Sequence, residues 1–195
     1  LDSLQQALNY DPNNPDYFTT AAVLKRRQAD AYQPDTEQFE TLNRDALKRY
    51  QHLLTLRPSW APYWASIVAI KYDLWEYDEA MKQAINNAAR LAPWFKSNQL
   101  IILQAGYHGW PFLDVETHSV IESTLERAMQ LQPKETILHS LNQGYSDRLQ
   151  PYLQSDETLN EIYEKERMAR KNRLQRWQKQ EERRKQKEER LKGKG

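Results

Sequence analysis

The stretch that decides the fold is a helix-forming segment, NRDALKRYQHLLTLRP, residues Asn43–Pro58. It holds a small residue, Ala46, a large residue four positions later, Tyr50, and a proline twelve positions after the alanine, Pro58. Residues four apart lie on one face of an α-helix, and proline is disfavoured in a helix interior. The segment therefore predicts one helix that packs through Ala46 and Tyr50 and ends before Pro58.

The same pattern recurs along the chain. EYDEAMKQAINNAARLAP covers Glu76–Pro93, VIESTLERAMQLQP covers Val120–Pro133, and a shorter trace, LQQALNYDP, ends at Pro12. The closing prolines are separated by 46, 35 and 40 residues, so the repeats are degenerate. This recurrence indicates stacked helical hairpins and resembles the tetratricopeptide (TPR) repeat. The structural repeat positions are Ala46, Tyr50, Pro58, Trp64, Ala80, Pro93, Trp94 and Pro133.

Composition agrees with a helical chain. Only 5 of the 195 residues are Gly, there is no Cys, and runs of β-branched residues are nearly absent. The scarcity of β-branched runs argues against sheets, and the lack of Cys excludes disulfides and thiolate metal sites. We expect an all-α fold, a TPR-like α-solenoid of about three degenerate helical hairpins plus a long charged C-terminal helix.

Capping and turn signals place the helices. Asp35 or Thr36 can cap the helix that ends at Leu56, because both side chains accept hydrogen bonds from a first turn. A further helix carries Trp64, and LWEYDE forms the turn after it. The other predicted helices run from Asp16 to about Ala31, Asp78 to Leu91, Asn98 to Tyr107, Thr117 to Leu131, Glu135 to Asn142, and from Leu159 towards the C-terminus.

Charge divides the chain into a body and a tail. Residues 161–195 carry 14 Lys and Arg against 7 Asp and Glu, whereas the whole chain carries 28 against 27. The tail has strong helix formers and several Glu–Lys or Glu–Arg pairs three or four apart. We expect a TPR-like repeat domain over residues 1–147, and a linker followed by a long charged helix over residues 148–195.

No pattern in the chain indicates catalysis. The four His residues are scattered without metal-ligand spacing, and no nucleophile motif, glycine-rich phosphate loop or dinucleotide fingerprint is present. The sequence therefore predicts a non-catalytic protein without a cofactor or a metal. Stacked hairpins form binding surfaces instead, with the first helix of each hairpin lining a groove. The candidate partner-binding residues in that groove are Arg26, Arg27, Lys71, Tyr72, Asp73 and Tyr107.

Two other binding functions remain open. Tyr63, Trp64, Trp75 and Trp94 could stack on sugar rings, although these positions normally pack between helices. Residues 161–195 could bind nucleic acid or ribosomes through their basic charge, and this binding would collapse with added salt. Acidic residues are mixed into the tail, so nucleic acid is the less favoured partner.

A narrower resemblance lies within Arg57–Trp110. Its features are RPSW followed by YW and Ala65, Lys71 before a Leu-x-Glu-x-Asp turn, LAPW at residues 91–94, Gln99, and Gly106 followed by Trp110. This stretch resembles the VpsP family of bacterial polysaccharide-biosynthesis proteins, and DPNNPDY near the N-terminus is similar to that family's opening repeat. The motifs are structural and do not specify a mechanism.

The resemblance implies a scaffold in bacterial exopolysaccharide or surface-polysaccharide biosynthesis and export. The implied partners are proteins of a polysaccharide assembly or export system, with glycan contact as a further expectation. It also implies an N-terminal anchor, preceding Leu1, in the bacterial inner membrane, with the repeat domain in the periplasm and the cytoplasm as the alternative.

Overall fold

A computed structural model describes residues 6, 7, 9–11 and 14–192 of the chain, with side chains described as far as residue 185. Within this range the secondary structure is helical and contains no strand, which confirms the all-α prediction. The chain divides into two compact units, Leu1–Leu131 and Gln132–Gly195. Pro12, which closes the trace of a fourth repeat, lies outside the described residues.

Over the described residues from 14 to 131, the first unit contains α1 Pro15–Ala29, α2 Glu37–Leu56, α3 Ala61–Asp73, α4 Glu79–Leu91, α5 Lys96–His108 and α6 Val115–Leu131, with a 3-10 turn at Trp110–Phe112. These helices form three hairpins. The first pairs α1 with α2, the second pairs α3 with α4, and the third pairs α5 with α6. In addition α2 packs on α3, α3 on α5, and α4 on both α5 and α6, so each hairpin contacts its neighbour in sequence.

Side-chain caps begin several of these helices. The Thr36 hydroxyl accepts from the Phe39 N–H at 3.2 Å, so Thr36, rather than Asp35, caps α2. Asp78 accepts from the Met81 N–H at 3.0 Å and caps α4. Each cap satisfies a backbone donor that has no partner inside the helix, and this explains why the helices begin where they do.

The predicted repeat positions differ in burial. Ala46 and Tyr50 are buried in α2, as the small-large pattern predicts, whereas Ala80 is only half-buried. The second copy has one extra residue before its proline, so the position twelve residues before Pro93 is Met81, which is fully buried. Pro58 is exposed, and Pro93 and Pro133 are half-buried.

The two tryptophans among the repeat positions have different surroundings. Trp64 is half-buried, and its indole N–H donates to the Pro58 carbonyl at 2.8 Å. Gln99 donates to the Pro93 carbonyl at 2.7 Å from the same offset of six residues in the next hairpin. Trp94 is 59% exposed and therefore does not pack as a repeat residue. The recurring feature is a donor that ties the start of a hairpin to the preceding proline.

The second unit is described separately. It contains α7 (Pro133–Gln143), a 3-10 turn (Ser146–Leu149), α8 (Gln150–Ser155) and the long helix α9 (Glu157–Lys192). Both α7 and α8 pack on α9. The sequence-based boundary at 147/148 therefore differs from the division at 131/132, because α7 packs on the C-terminal helix and is grouped with it.

Candidate functional site

The structure places the predicted groove residues in several settings. Arg26 and Asp73 form an ion pair with each other, and Arg26 also donates to the Asn43 side chain. Arg27 is exposed on α1. The Tyr72 hydroxyl lies 2.8 Å from Nδ1 of His108, with the two rings stacked. The charges of Arg26 and Asp73 therefore neutralise each other within the chain. Whether the groove binds a partner stays a prediction.

Two further groove residues are also engaged. Tyr107 is half-buried, and its ring stacks on Trp110 at a centroid distance of 5.6 Å. Lys71 is 3% exposed, and its Nζ donates to a carboxylate oxygen of Glu76 and of Asp78, each at 2.8 Å. Burying an ammonium is costly unless it is paired, so this pairing explains how α3 tolerates a buried lysine. Lys71 is accordingly a buried residue of α3 whose ammonium group binds the turn that follows the helix.

The Lys71 network extends to α2. The other oxygen of Glu76 accepts from Arg44 at 2.8 Å, and Arg44 in turn pairs with Glu40 at 2.8 Å. Burial raises the pKa of Glu76, but the hydrogen bonds from Lys71 and Arg44 outweigh it and hold the pKa below its ordinary value. The pKa of Asp78 is lowered in the same way, with burial opposed by Lys71 and by the Met81 N–H.

These shifts predict acid destabilisation that depends on the network. A carboxylate whose folded pKa is lowered stabilises the fold above the ordinary carboxyl pKa of about 4 and loses that contribution as pH falls through the folded pKa. The free energy of unfolding, measured with urea, should therefore fall more between pH 7 and pH 3 for the parent than for Glu76→Gln. Burial raises the pKa of Asp73 despite the nearby Arg26. The contribution of Asp73 to the pH dependence of stability therefore has the opposite sign, and it is the same in the parent and in Glu76→Gln. An equal loss of unfolding free energy in the parent and in Glu76→Gln would contradict the prediction.

The turn held by this network contains an unusual backbone conformation. Trp75 has φ +57°, in the left-handed region that bulky residues rarely adopt. Its N–H donates to the Tyr72 carbonyl at 3.1 Å, and the Glu76 N–H donates to the Lys71 carbonyl at 2.9 Å. This is a Schellman motif, in which the left-handed position is usually Gly. A side chain there costs roughly 1–2 kcal/mol.

The chain offers a comparison for this turn. Helix α7 ends in a similar turn at Gly144, which has φ +80°, with the N–H of Tyr145 donating to the Ser140 carbonyl at 3.1 Å. Gly144 adopts the left-handed conformation without strain, whereas Trp75 does not. Trp75 is also 69% exposed, so burial of its ring does not explain its presence.

Four side chains around this position form what we call the aromatic turn: Tyr72, Trp75, Tyr77 and Phe112. The ring centroids of Tyr72 and Trp75 are 6.3 Å apart, those of Trp75 and Tyr77 are 6.5 Å apart, and those of Tyr77 and Phe112 are 5.6 Å apart and stacked. Phe112 is 63% exposed. The four rings therefore follow one another in a row that has two exposed members.

This row differs from the aromatic set indicated by the sequence. Of that set, Tyr63 is buried and its hydroxyl lies 2.8 Å from the Thr19 hydroxyl, Trp64 is half-buried, and Trp75 and Trp94 are exposed. Among the described residues, no two of these four rings are in contact. The sequence did not indicate Phe112, since it comes from a distant loop and has no repeat spacing.

A second surface feature lies between α4 and α6. It is a cleft of about 650 Å³, here called the polar cleft. Nη2 of Arg127 donates to the Thr124 hydroxyl at 3.3 Å, and Nη2 of Arg90 donates to the side-chain amide oxygen Oδ1 of Asn87 at 3.0 Å. The residues that line it are Asn86, Asn87, Ala89, Arg90, Pro93, Glu116, Ser119, Val120, Ser123 and Arg127.

The guanidinium groups of the polar cleft are not neutralised by carboxylates. Within the described part of the chain, neither Arg90 nor Arg127 forms an ion pair, and the buried Nε of Arg127 has no acceptor. The Ser119 and Ser123 hydroxyls donate to carbonyls of their own helix and so keep lone pairs as acceptors. The two unpaired guanidinium groups outnumber the one carboxylate of the lining, Glu116, so the cleft suits a partner's carboxylate, which a guanidinium can bind through two hydrogen bonds.

In the second unit, α9 carries the basic residues. Its charges partly pair along the helix, as in Arg167 with Glu164 at 2.7 Å and Arg184 with Glu181 at 2.8 Å. Trp177 is 60% exposed. Such pairs on an exposed helix contribute little stability and reduce the positive field, so nucleic-acid binding by this tail stays a prediction.

No family model matches the chain, and no curated protein matches it significantly. Over the residues that the structure describes, no helix combines the length and the apolar character needed to cross a bilayer. Over the same residues, no group of three or more His, Asp or Glu side chains is placed to hold a metal ion.

Proposed function

We propose that this chain is a non-catalytic, TPR-like scaffold in bacterial exopolysaccharide or surface-polysaccharide biosynthesis and export. The polar cleft would hold an acidic segment of a partner protein in that system. The observation that carries this proposal is the pair of guanidinium groups, Arg90 and Arg127, which line one cleft and lack carboxylate partners there. The array of hairpins supports a binding role, and the resemblance at Arg57–Trp110 supports the pathway.

Charge complementarity favours the polar cleft over the groove. The groove residues Arg26, Lys71 and Asp73 already form ion pairs within the chain, so a partner would have to break those pairs. The cations of the polar cleft have no such pairs to lose. Complementary charge at an interface raises the association rate and selects against partners of the wrong sign.

The test is site-specific photo-crosslinking in the polysaccharide-producing cell. A crosslinker at Ser123, in the polar cleft, should capture an acidic peptide of a polymerase, glycosyltransferase or export component. A crosslinker at Gln83, an exposed residue of α4 outside the polar cleft, serves as the control. Capture of unrelated proteins only, or equal capture from both positions, would count against the proposal.

The captured peptide then allows a quantitative prediction. Arg127→Glu together with Arg90→Glu should weaken its binding at least tenfold, about 1.4 kcal/mol, because two attractive charges become repulsive. Lys48→Glu is the matched control, since Lys48 is exposed on α2 and lies outside the polar cleft. Titration calorimetry measures both variants. Equal weakening by Lys48→Glu would show a general charge effect and would contradict a specific site.

A further inference from the structure

The aromatic turn has the properties of a ligand site. Trp75 adopts a left-handed backbone conformation at a position where the chain uses glycine in α7, and most of its ring is exposed. Residues in sparsely populated conformations persist only where the surrounding structure holds them, and they cluster at functional sites. Neither burial nor backbone preference accounts for a tryptophan here, whereas an external contact would.

The Lys71 network holds the turn in place. Lys71 binds Glu76 and Asp78, which flank Tyr77 in sequence, and Arg44 binds Glu76 from α2. The turn around Trp75 is therefore held by two part-buried bonds from Lys71 and one exposed bond from Arg44. A ring held in this way loses little conformational freedom when a ligand binds, and this preorganisation favours affinity.

The arrangement of the rings indicates the class of ligand. Trp75 contacts Tyr72 and Tyr77, and Tyr77 contacts Phe112, so the contacts among these four rings form a row and do not close into a ring. Trp75 meets Tyr77 edge to face and Tyr77 stacks on Phe112, so the surface left for a ligand is that of the two exposed rings, Trp75 and Phe112. Two exposed rings separated by one ring suit successive units of a linear chain, whereas an ammonium ligand is held inside an aromatic cage.

The charges near the row disfavour a nucleic acid. Arg44 and Lys71, the cations of the turn network, are both bound to Glu76. Nucleic-acid binding depends on Lys and Arg side chains that neutralise phosphates, and stacking platforms for single strands lie in positively charged grooves. A neutral sugar has apolar C–H faces that pack on aromatic rings and needs no cation for that contact.

We infer that the aromatic turn, through Trp75 and Phe112, binds the sugar rings of a linear carbohydrate. This site is distinct from the polar cleft, so either site can fail its test without the other. The Arg90→Glu, Arg127→Glu protein is accordingly expected to bind carbohydrate as the parent does.

The test uses tryptophan fluorescence and titration calorimetry on the full chain with cellohexaose and maltohexaose as probes. The parent should bind at least one of them with a Kd of roughly 1 mM or tighter, about the affinity expected of a small exposed site. Trp75→Gly should lose this binding at least tenfold, Trp75→Phe should keep part of it, and Trp94→Ala should leave it unchanged. Trp94 is the matched control because it is exposed and makes no ring contact among the described residues.

Stability measurements separate a binding role from a packing role. Glycine suits the left-handed position, so Trp75→Gly should melt within about 2 °C of the parent or above it. A fall of more than about 4 °C would mean that Trp75 serves the packing of the turn and would overturn the inference. It would equally be overturned by a parent that binds neither probe at 10 mM, by Trp75→Gly binding as tightly as the parent, or by an equal loss in Trp94→Ala.

Discussion

Ile121→Ala is expected to lower the free energy of unfolding by about 2–5 kcal/mol. Ile121 is fully buried on α6 and lies against Gly106 of α5. A Cβ built on Gly106 would lie 2.6 Å from Cδ1, 2.7 Å from Cγ1 and 3.2 Å from Cγ2 of Ile121. The isoleucine therefore occupies the space that the missing side chain leaves, and truncating it opens a cavity between the helices of the third hairpin.

The same contact predicts a change of sign for Gly106→Ala. In the parent the added methyl group overpacks the contact, which costs about 1–3 kcal/mol against a helix-propensity gain of about 1 kcal/mol. In the Ile121→Ala protein the methyl group has room, so Gly106→Ala should stabilise by about 1 kcal/mol. Urea unfolding of the parent, the two single variants and the double variant gives the coupling energy between the two positions. Additive effects at the two positions would refute this packing contact.

The second large effect is expected for Gly109→Ala, which should destabilise by about 2–3 kcal/mol. Gly109 has φ −86°, a conformation open to any residue, so backbone strain is not the cause. A Cβ at Gly109 would lie 2.1 and 2.2 Å from two carbons of the Tyr77 ring. The ring has to move, and in moving it leaves its stack on Phe112.

Tyr77→Ala provides the control for that prediction. Without the ring the methyl group meets no obstacle there, so Gly109→Ala in the Tyr77→Ala background should change stability by less than about 0.5 kcal/mol. Thermal melts measure the stability, and near-ultraviolet circular dichroism reports the displaced ring. If Gly109→Ala were as destabilising without Tyr77 as with it, the close contact of Gly109 with the ring would be refuted.

The helices could be predicted from the sequence because their signals are local. The small-large spacing at Ala46 and Tyr50 and the cap at Asp78 depend on residues within one turn or two, and the structure shows the corresponding burial and hydrogen bond. The choice between Asp35 and Thr36 needed the structure. Asp35 adopts φ +76° in the turn before the helix, which leaves Thr36 as the cap.

The candidate sites were less predictable because they depend on distant contacts. Lys71 looks like a groove residue by its position in a first helix, but Glu76 and Asp78 fold back over it and Arg44 reaches Glu76 from α2. Burial of the tryptophans depends on loop conformation, so residue type did not separate Trp64 from Trp75. The unpaired state of Arg127 depends on which side chains of α4 lie opposite it.

The bonds from Trp64 and Gln99 to the preceding prolines bear on how degenerate repeats should be recognised. The two side chains share neither aromaticity nor shape, yet each provides an N–H six residues after a proline and closes the same loop. A repeat profile that demands a bulky aromatic at this offset would accept one hairpin and reject the next. A profile that requires a hydrogen-bond donor at this offset would recognise both hairpins as copies of the same repeat.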